Sequence, residues 1–106
     1  MLSMNFDDFQ KQVLQSVAIT DKTVAALAHR ALGLSGEAGI ISNAMKKVIR
    51  DKNGQLTDED KALLKEKIGD VMYYAAVLAE YADLSLDEIA AAQLEKSAAF
   101  KASRNQ

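Results

Sequence analysis

From Lys22 to Ile49 apolar side chains recur at steps of three and four: Val24, Leu27, Ala31, Leu34, Ala38, Ile41, Met45 and Val48. That period is the period of an α-helix with one buried face, and it rules out a strand, whose sides alternate every second residue. The whole chain of 106 residues contains no proline and only five glycines, so little interrupts a helical reading. Three further stretches carry the same signature. Phe6, Phe9, Val13 and Val17 set a first helix from about Phe6 to Val17, with Asn5 or Ser3 as its cap. Leu64, Ile68, Val71, Met72, Ala75, Leu78 and Ala79 set a third, ending near Tyr81. Ile89, Ala92, Leu94 and Phe100 set a fourth and thinner one, from about Leu86 to Lys101, with a frayed tail after it.

The connections are short. Ala18 to Asp21 joins the first two helices. Asn53-Gly54 is a pair that favours left-handed backbone, but its charged flanks make a helix–helix loop rather than a hairpin. Thr57-x-x-Asp60 and Ser85-x-x-Glu88 read as capping boxes at the starts of helices three and four. The expected fold is all-α: one domain spanning 1–106, a four-helix bundle with a long central helix pair. Its outer helices are thin, so oligomerisation is expected to complete it, as a homodimer or homotetramer.

Bulk chemistry excludes several functions. A net charge of −2 gives no basic surface for coating nucleic acid. Without cysteine there is no thiol nucleophile or thiolate metal site, and a single His29 makes a Ser-His-Asp arrangement improbable. No run approaches the roughly 18 apolar residues of a membrane span, and Met1-Leu2-Ser3-Met4 lacks the form of a signal peptide. The expectation is a cytoplasmic protein with no membrane or nucleic-acid partner.

Two acids stand in the most apolar helices. Glu37 sits amid Leu34, Ile40 and Ile41, and Asp70 opens the hydrophobic stretch that begins at Val71. A carboxylate in such surroundings needs a basic side chain or a cation as partner. Antiparallel helices contributing carboxylates are how bundles build sites for hard cations. Gly33, Gly36 and Gly39 recur every third residue beside Glu37. They serve either close helix approach or a kink, or else they open space for a ligand.

The ordered stretches Asn5-Phe-Asp-Asp-Phe-Gln, Leu32-Gly-Leu-Ser-Gly-Glu-Ala-Gly with Lys46-Lys47, Ile68-Gly-Asp-Val-Met-Tyr-Tyr, and Leu84-Ser-Leu-Asp-Glu-Ile-Ala with Gln93-Leu-Glu-Lys96 cover nearly the whole chain. Together they resemble MazG-like nucleoside triphosphate pyrophosphohydrolases. The resemblance implies an all-α hydrolase that cleaves nucleoside triphosphates to the monophosphate and pyrophosphate. It implies Mg²⁺ held by the pattern E-x-x-E, spacer, E-x-x-D, where carboxylate-bound metal activates water and neutralises phosphate charge.

Matched position by position, Glu37 takes the place of the first acid and Asp70 that of the last, as catalytic and metal residues. Ile40 and Lys67 stand where the second and third acids belong. The four positions therefore carry one net negative charge instead of four. Lys67 is expected to pair with Asp70 on its own helix or with Glu37 across the helix interface, at or beside the place of the metal. Glu66, four residues before Asp70, offers a substitute third carboxylate. The resemblance implies Lys47, Gln93 (where the family commonly has Asn) and Lys96 as substrate-binding positions, and Tyr74 could line a base pocket. Lys46, Lys47, Arg50 and Lys52 also suit a helix C-terminus, and Tyr73, Tyr74 and Tyr81 suit a core or subunit interface. The alternative to an enzyme is a catalytically degenerate relative, a helical oligomer that binds a nucleotide or a protein.

Overall fold

The computed structural model describes residues 4–105, and the helices follow the apolar pattern with adjusted ends. They are α1 (Phe6–Leu14), α2 (Val24–Asp51), α3 (Asp58–Tyr81) and α4 (Leu86–Arg104), with no strand among the described residues. Ser3 lies outside that range; Asn5 is the cap of α1, accepting from the Asp8 amide while the Asp8 carboxylate accepts from Asn5.

Four boundaries differ from the sequence reading, among them the end of α2, which runs on through Asp51 instead of stopping near Ile49. α1 stops at Leu14, short of Val17, where the Ser16 amide and hydroxyl both donate to the Val13 carbonyl and close a turn. α2 begins two residues later than expected because Thr23 caps it, accepting from the Ala26 amide at 3.2 Å; Asp21 in turn accepts from both the amide and hydroxyl of Thr23. α4 continues through Arg104, beyond the expected end at Lys101.

The α2–α3 turn shows why Asn53-Gly54 is a helix connection. Both residues have positive φ (51° and 72°), and the Gln55 amide donates to the Lys52 carbonyl at 2.9 Å, closing a tight turn. Gly54 also donates back to Val48, so the turn satisfies a carbonyl at the end of α2. Thr57 and Asp60 then form the expected reciprocal capping box. At α4 only half of that arrangement forms. Ser85 accepts from the Glu88 amide, but its hydroxyl donates to Asp7 of α1 instead of being matched by Glu88.

α2 and α3 pack as the long pair, α1 lies on α3, and α4 docks on α1. Phe9 and Val13 of α1 close over Ala76, Ala79 and Leu86. Buried Gln10 ties this junction together: its amide nitrogen donates to the Leu84 carbonyl and to Glu80, and its oxygen accepts from the Leu86 amide. Asp7 accepts from the Asp87 amide while the Phe6 amide donates to Asp87, so α1 and α4 cap each other.

The core is smaller than the periodicity suggested. Val48, Ala76, Val77, Ala79 and Leu86 are buried, while Val24, Ala31, Ala38, Ile68, Met72 and all four apolar positions expected for α4 are exposed. Met72 therefore lies outside the core, whereas Met45 is half-buried. A single chain does not supply enough layers to cover both sides of its long helices.

Candidate functional site

The middle of α2 faces the middle of α3 closely because position 33 has no side chain. A Cβ on Gly33 would lie 2.5 Å from the Tyr74 ring, so this glycine serves close helix approach. Open space surrounds Gly36 and Gly39. One turn beyond Gly33, Glu37 projects toward α3 and meets Lys67.

Lys67 Nζ lies 3.1 Å from Glu37 Oε2, 3.4 Å from Asp70 Oδ2 and 3.9 Å from Glu66 Oε1. Both ion-pair partners foreseen for Lys67 are thus engaged at once, one across the helix interface and one along α3. The Lys67 side chain is largely buried, Glu37 is half-buried, and Glu66 is mostly in solvent. Glu37 Oε2 is itself a buried atom. Its contact with Lys67 is ionic in geometry, and no hydrogen-bond donor is aligned on it among the described residues. The Glu37 carboxylate, aided by Asp70 and opposed by burial, holds the Lys67 pKa above the ordinary lysine value, so the ammonium stays charged at neutral pH.

This arrangement decides whether the implied Mg²⁺ fits. Mg²⁺ needs a set of oxygen ligands around one point. Here an ammonium is the group in contact with both carboxylates, and Ile40 supplies no oxygen. Among the described residues no group of three or more acidic, histidine or cysteine side chains converges as a cation site. The residues present do not fit the metal.

The other expected site residues are dispersed. Lys47 lines a groove of about 310 Å³ together with Ile40, Asn43, Asp51, Lys52 and Asp60, next to the acidic centre. Tyr74 is packed on Gly33 and meets Tyr73 edge-on at 5.3 Å. Gln93 donates to Ser97 within α4, and both Gln93 and Lys96 are exposed on a helix that docks on α1 rather than on the α2–α3 pair. His29 is exposed.

Two charged features escaped the sequence reading. Lys52 Nζ lies 2.8 Å from Oδ1 of the buried Asp60, whose other oxygen accepts from the Thr57 amide. The Lys52 contact first, and the Thr57 amide second, lower the Asp60 pKa to about 2. The capping box was the available signal for Asp60, but nothing local showed that a lysine eight residues earlier would reach it. Arg30 is the second. It lies against Tyr81, with Tyr73 and Tyr74 nearby, and the Tyr81 hydroxyl raises its pKa.

No family model matches the chain, and no solved structure matches it. The "Gene 37 protein" of Mycobacterium phage L5 is 40% identical over 74 residues, which is 70% of this chain and 65% of that protein. The match thus spans slightly less than two thirds of the relative's length, and the relative's name states no activity. Among the described residues no helix is long and apolar enough to cross a membrane.

Proposed function

We propose that this chain is a MazG-like helical protein whose acidic centre is partly neutralised from within. On this reading it works as a self-associating binding module, not as a Mg²⁺-dependent nucleoside triphosphate pyrophosphohydrolase. The observation that carries the reading is the Lys67 ammonium, in contact with Glu37 and Asp70 at 3.1 and 3.4 Å. An ammonium at that point pairs with both carboxylates and leaves one net negative charge, which weakens the field that would draw in a divalent cation. Ile40 on the facing helix completes the loss of ligands. The protein is cytoplasmic, and its oligomer is a homodimer or homotetramer. On this reading a nucleotide's phosphates would rest against Lys47 in the groove beside Ile40, where Lys52 is already paired with Asp60, and would not be hydrolysed.

One observation favours a second reading, in which catalysis survives. Glu66 stands 3.9 Å from Lys67 and is mostly exposed, so its side chain has freedom to turn inward. With Lys67 swung out, Glu37, Glu66 and Asp70 would form a three-carboxylate set. Pyrophosphate release from a panel of ribo- and deoxynucleoside triphosphates, with Mg²⁺ or Mn²⁺, separates the two. The first reading expects no turnover by the native chain, with nucleotide retention weakened by Lys47→Ala. Metal-dependent turnover abolished by Glu37→Ala would replace it with the second.

A further inference from the structure

We propose that Asn53 is a site of spontaneous covalent modification, converting to aspartate and isoaspartate, and that the turn joining α2 to α3 governs how fast this happens. The reaction needs no ligand, and it is independent of the acidic centre and of any nucleotide.

Asn53 is the only asparagine of this chain that is followed by glycine; Asn5, Asn43 and Asn105 precede Phe6, Ala44 and Gln106. The glycine matters because the attacking atom is the backbone nitrogen of the next residue, and a side chain there would crowd it. Asn53 and Gly54 are both exposed, and nothing lies within 4 Å of the place a Cβ would occupy on Gly54. Water and solvent base therefore reach the reacting atoms.

The chemistry balances with water as co-reactant. The Gly54 nitrogen gives its proton to solvent base and attacks Asn53 Cγ, forming a new C–N bond. The Cγ–Nδ2 bond breaks, and Nδ2 leaves as ammonia with a proton returned by solvent. The product is a cyclic succinimide, which water opens at either carbonyl carbon. Cleavage at the Cγ–N bond yields aspartate on an ordinary main chain. Cleavage at the backbone C–N bond yields isoaspartate, whose main chain runs through Cβ and Cγ. In sum an amide and water become a carboxylic acid and ammonia, and nothing is oxidised or reduced.

The folded turn restrains the first step. The Gly54 amide donates to the Val48 carbonyl at 3.1 Å, so the nucleophile keeps its proton and stays turned back toward α2. The same carbonyl accepts from the Lys52 amide at 3.1 Å, and the Gln55 amide donates to the Lys52 carbonyl at 2.9 Å. Lys52 Nζ anchors the turn to the start of α3 through Asp60 Oδ1, 2.8 Å away. Attack on Cγ requires the Gly54 bond to open, which is a local unfolding of the turn. The extent of modification thus records how often the α2–α3 turn is open.

The modified chain differs from the original in two ways. Either product adds a carboxylate just past the C-terminal end of α2, where the helix dipole disfavours negative charge. Isoaspartate also lengthens the main chain between the helices whose register brings Gly33 to Tyr74 and Glu37 to Lys67.

The test incubates the full-length chain in neutral buffer, with and without concentrated urea. Each asparagine is followed by peptide mass spectrometry, and isoaspartate by enzymatic methylation. In urea Asn53 is expected to convert at least about 10-fold faster than Asn5, Asn43 or Asn105, and at least about 10-fold faster than in the folded protein. Asp60→Asn removes the anchor without touching the reacting residues. It should raise the folded-state rate at Asn53 several-fold and leave the rate in urea unchanged, with helical content retained by circular dichroism. Lys52→Met, which breaks the same contact from the other side, should do likewise. Conversion of Asn53 in urea no faster than that of the other three asparagines overturns the site. Equal rates with and without urea, or a folded-state rate indifferent to both substitutions, overturn the control by the turn.

Discussion

Lys67 and Glu37, from facing helices, meet at 3.1 Å in the half-buried middle of the α2–α3 pair. The contact places a positive charge between Glu37 and Asp70 and leaves one net negative charge among the three groups. Removing one partner alone leaves the other without compensation, which costs more than the pair contributes when intact.

That relationship predicts how the protein responds to metal. The melting temperature of the native chain should not change on adding Mg²⁺ or Mn²⁺. The double variant Ile40→Glu, Lys67→Glu should melt lower without metal, because four carboxylates then crowd one place. Saturating Mg²⁺ should raise its melting point by at least about 5 °C, since ligand binding to the folded state alone stabilises by mass action. A comparable rise in the native protein would show that Lys67 yields to the metal.

Acid should loosen the α2–α3 turn first. Asp60 has its pKa lowered to about 2 by Lys52 and the Thr57 amide, from an ordinary value of 3.8. A depressed carboxylate contributes stability that is full above its unfolded pKa and is lost as pH falls toward the folded one. Urea midpoints should therefore drop between about pH 4 and 2, and Asp60→Asn should flatten that part of the profile. An unchanged profile in the variant would remove Asp60 from the acid response.

Gly33 should not tolerate a methyl group. With the Tyr74 ring 2.5 Å from an added Cβ, Gly33→Ala forces the helices apart or the ring out of place. The expected loss is about 1–3 kcal/mol by urea unfolding, despite alanine's better helix propensity. Adding Tyr74→Ala should recover part of that loss, and the double-mutant cycle measures the coupling. Simple additivity would mean that the ring has room to move.

Gln10 should hold α4 in place. Gln10→Leu keeps the volume but leaves the Leu86 amide and Leu84 carbonyl without their partner. An unsatisfied buried polar group costs about 1–3 kcal/mol. Hydrogen exchange should quicken most in the first turns of α4, while the centres of α2 and α3 keep their protection. Uniform acceleration through all four helices would place Gln10's role in global folding instead.

The four helices were legible in the sequence because their information is local. Spacing of apolar residues and the side chains of Asn5, Thr57 and Ser85 set helices and starts within a few residues. Thr23 also acts locally, accepting from the Ala26 amide, and it starts α2 at Val24, two residues after the position set by apolar spacing alone. The Lys67 pairing was legible as well, because i to i+3 spacing and a facing carboxylate limit a buried ammonium to few choices. Periodicity alone assigned Val24, Ile68 and Met72 to a core. It reports that a face is apolar, not what covers it.

What the sequence by itself determined is thus the helical class, the caps of α1, α3 and α4, and the spacing of Ile40 from Glu37 and of Lys67 from Asp70. Only the tertiary structure decided that Lys67 touches Glu37 and Asp70 together, that Gly33 serves Tyr74, and that Lys52 reaches Asp60. Those contacts depend on the register and separation of helices that the turn at Asn53-Gly54 brings side by side. Neither quantity is encoded in the period of a single helix; both emerge when two faces pack.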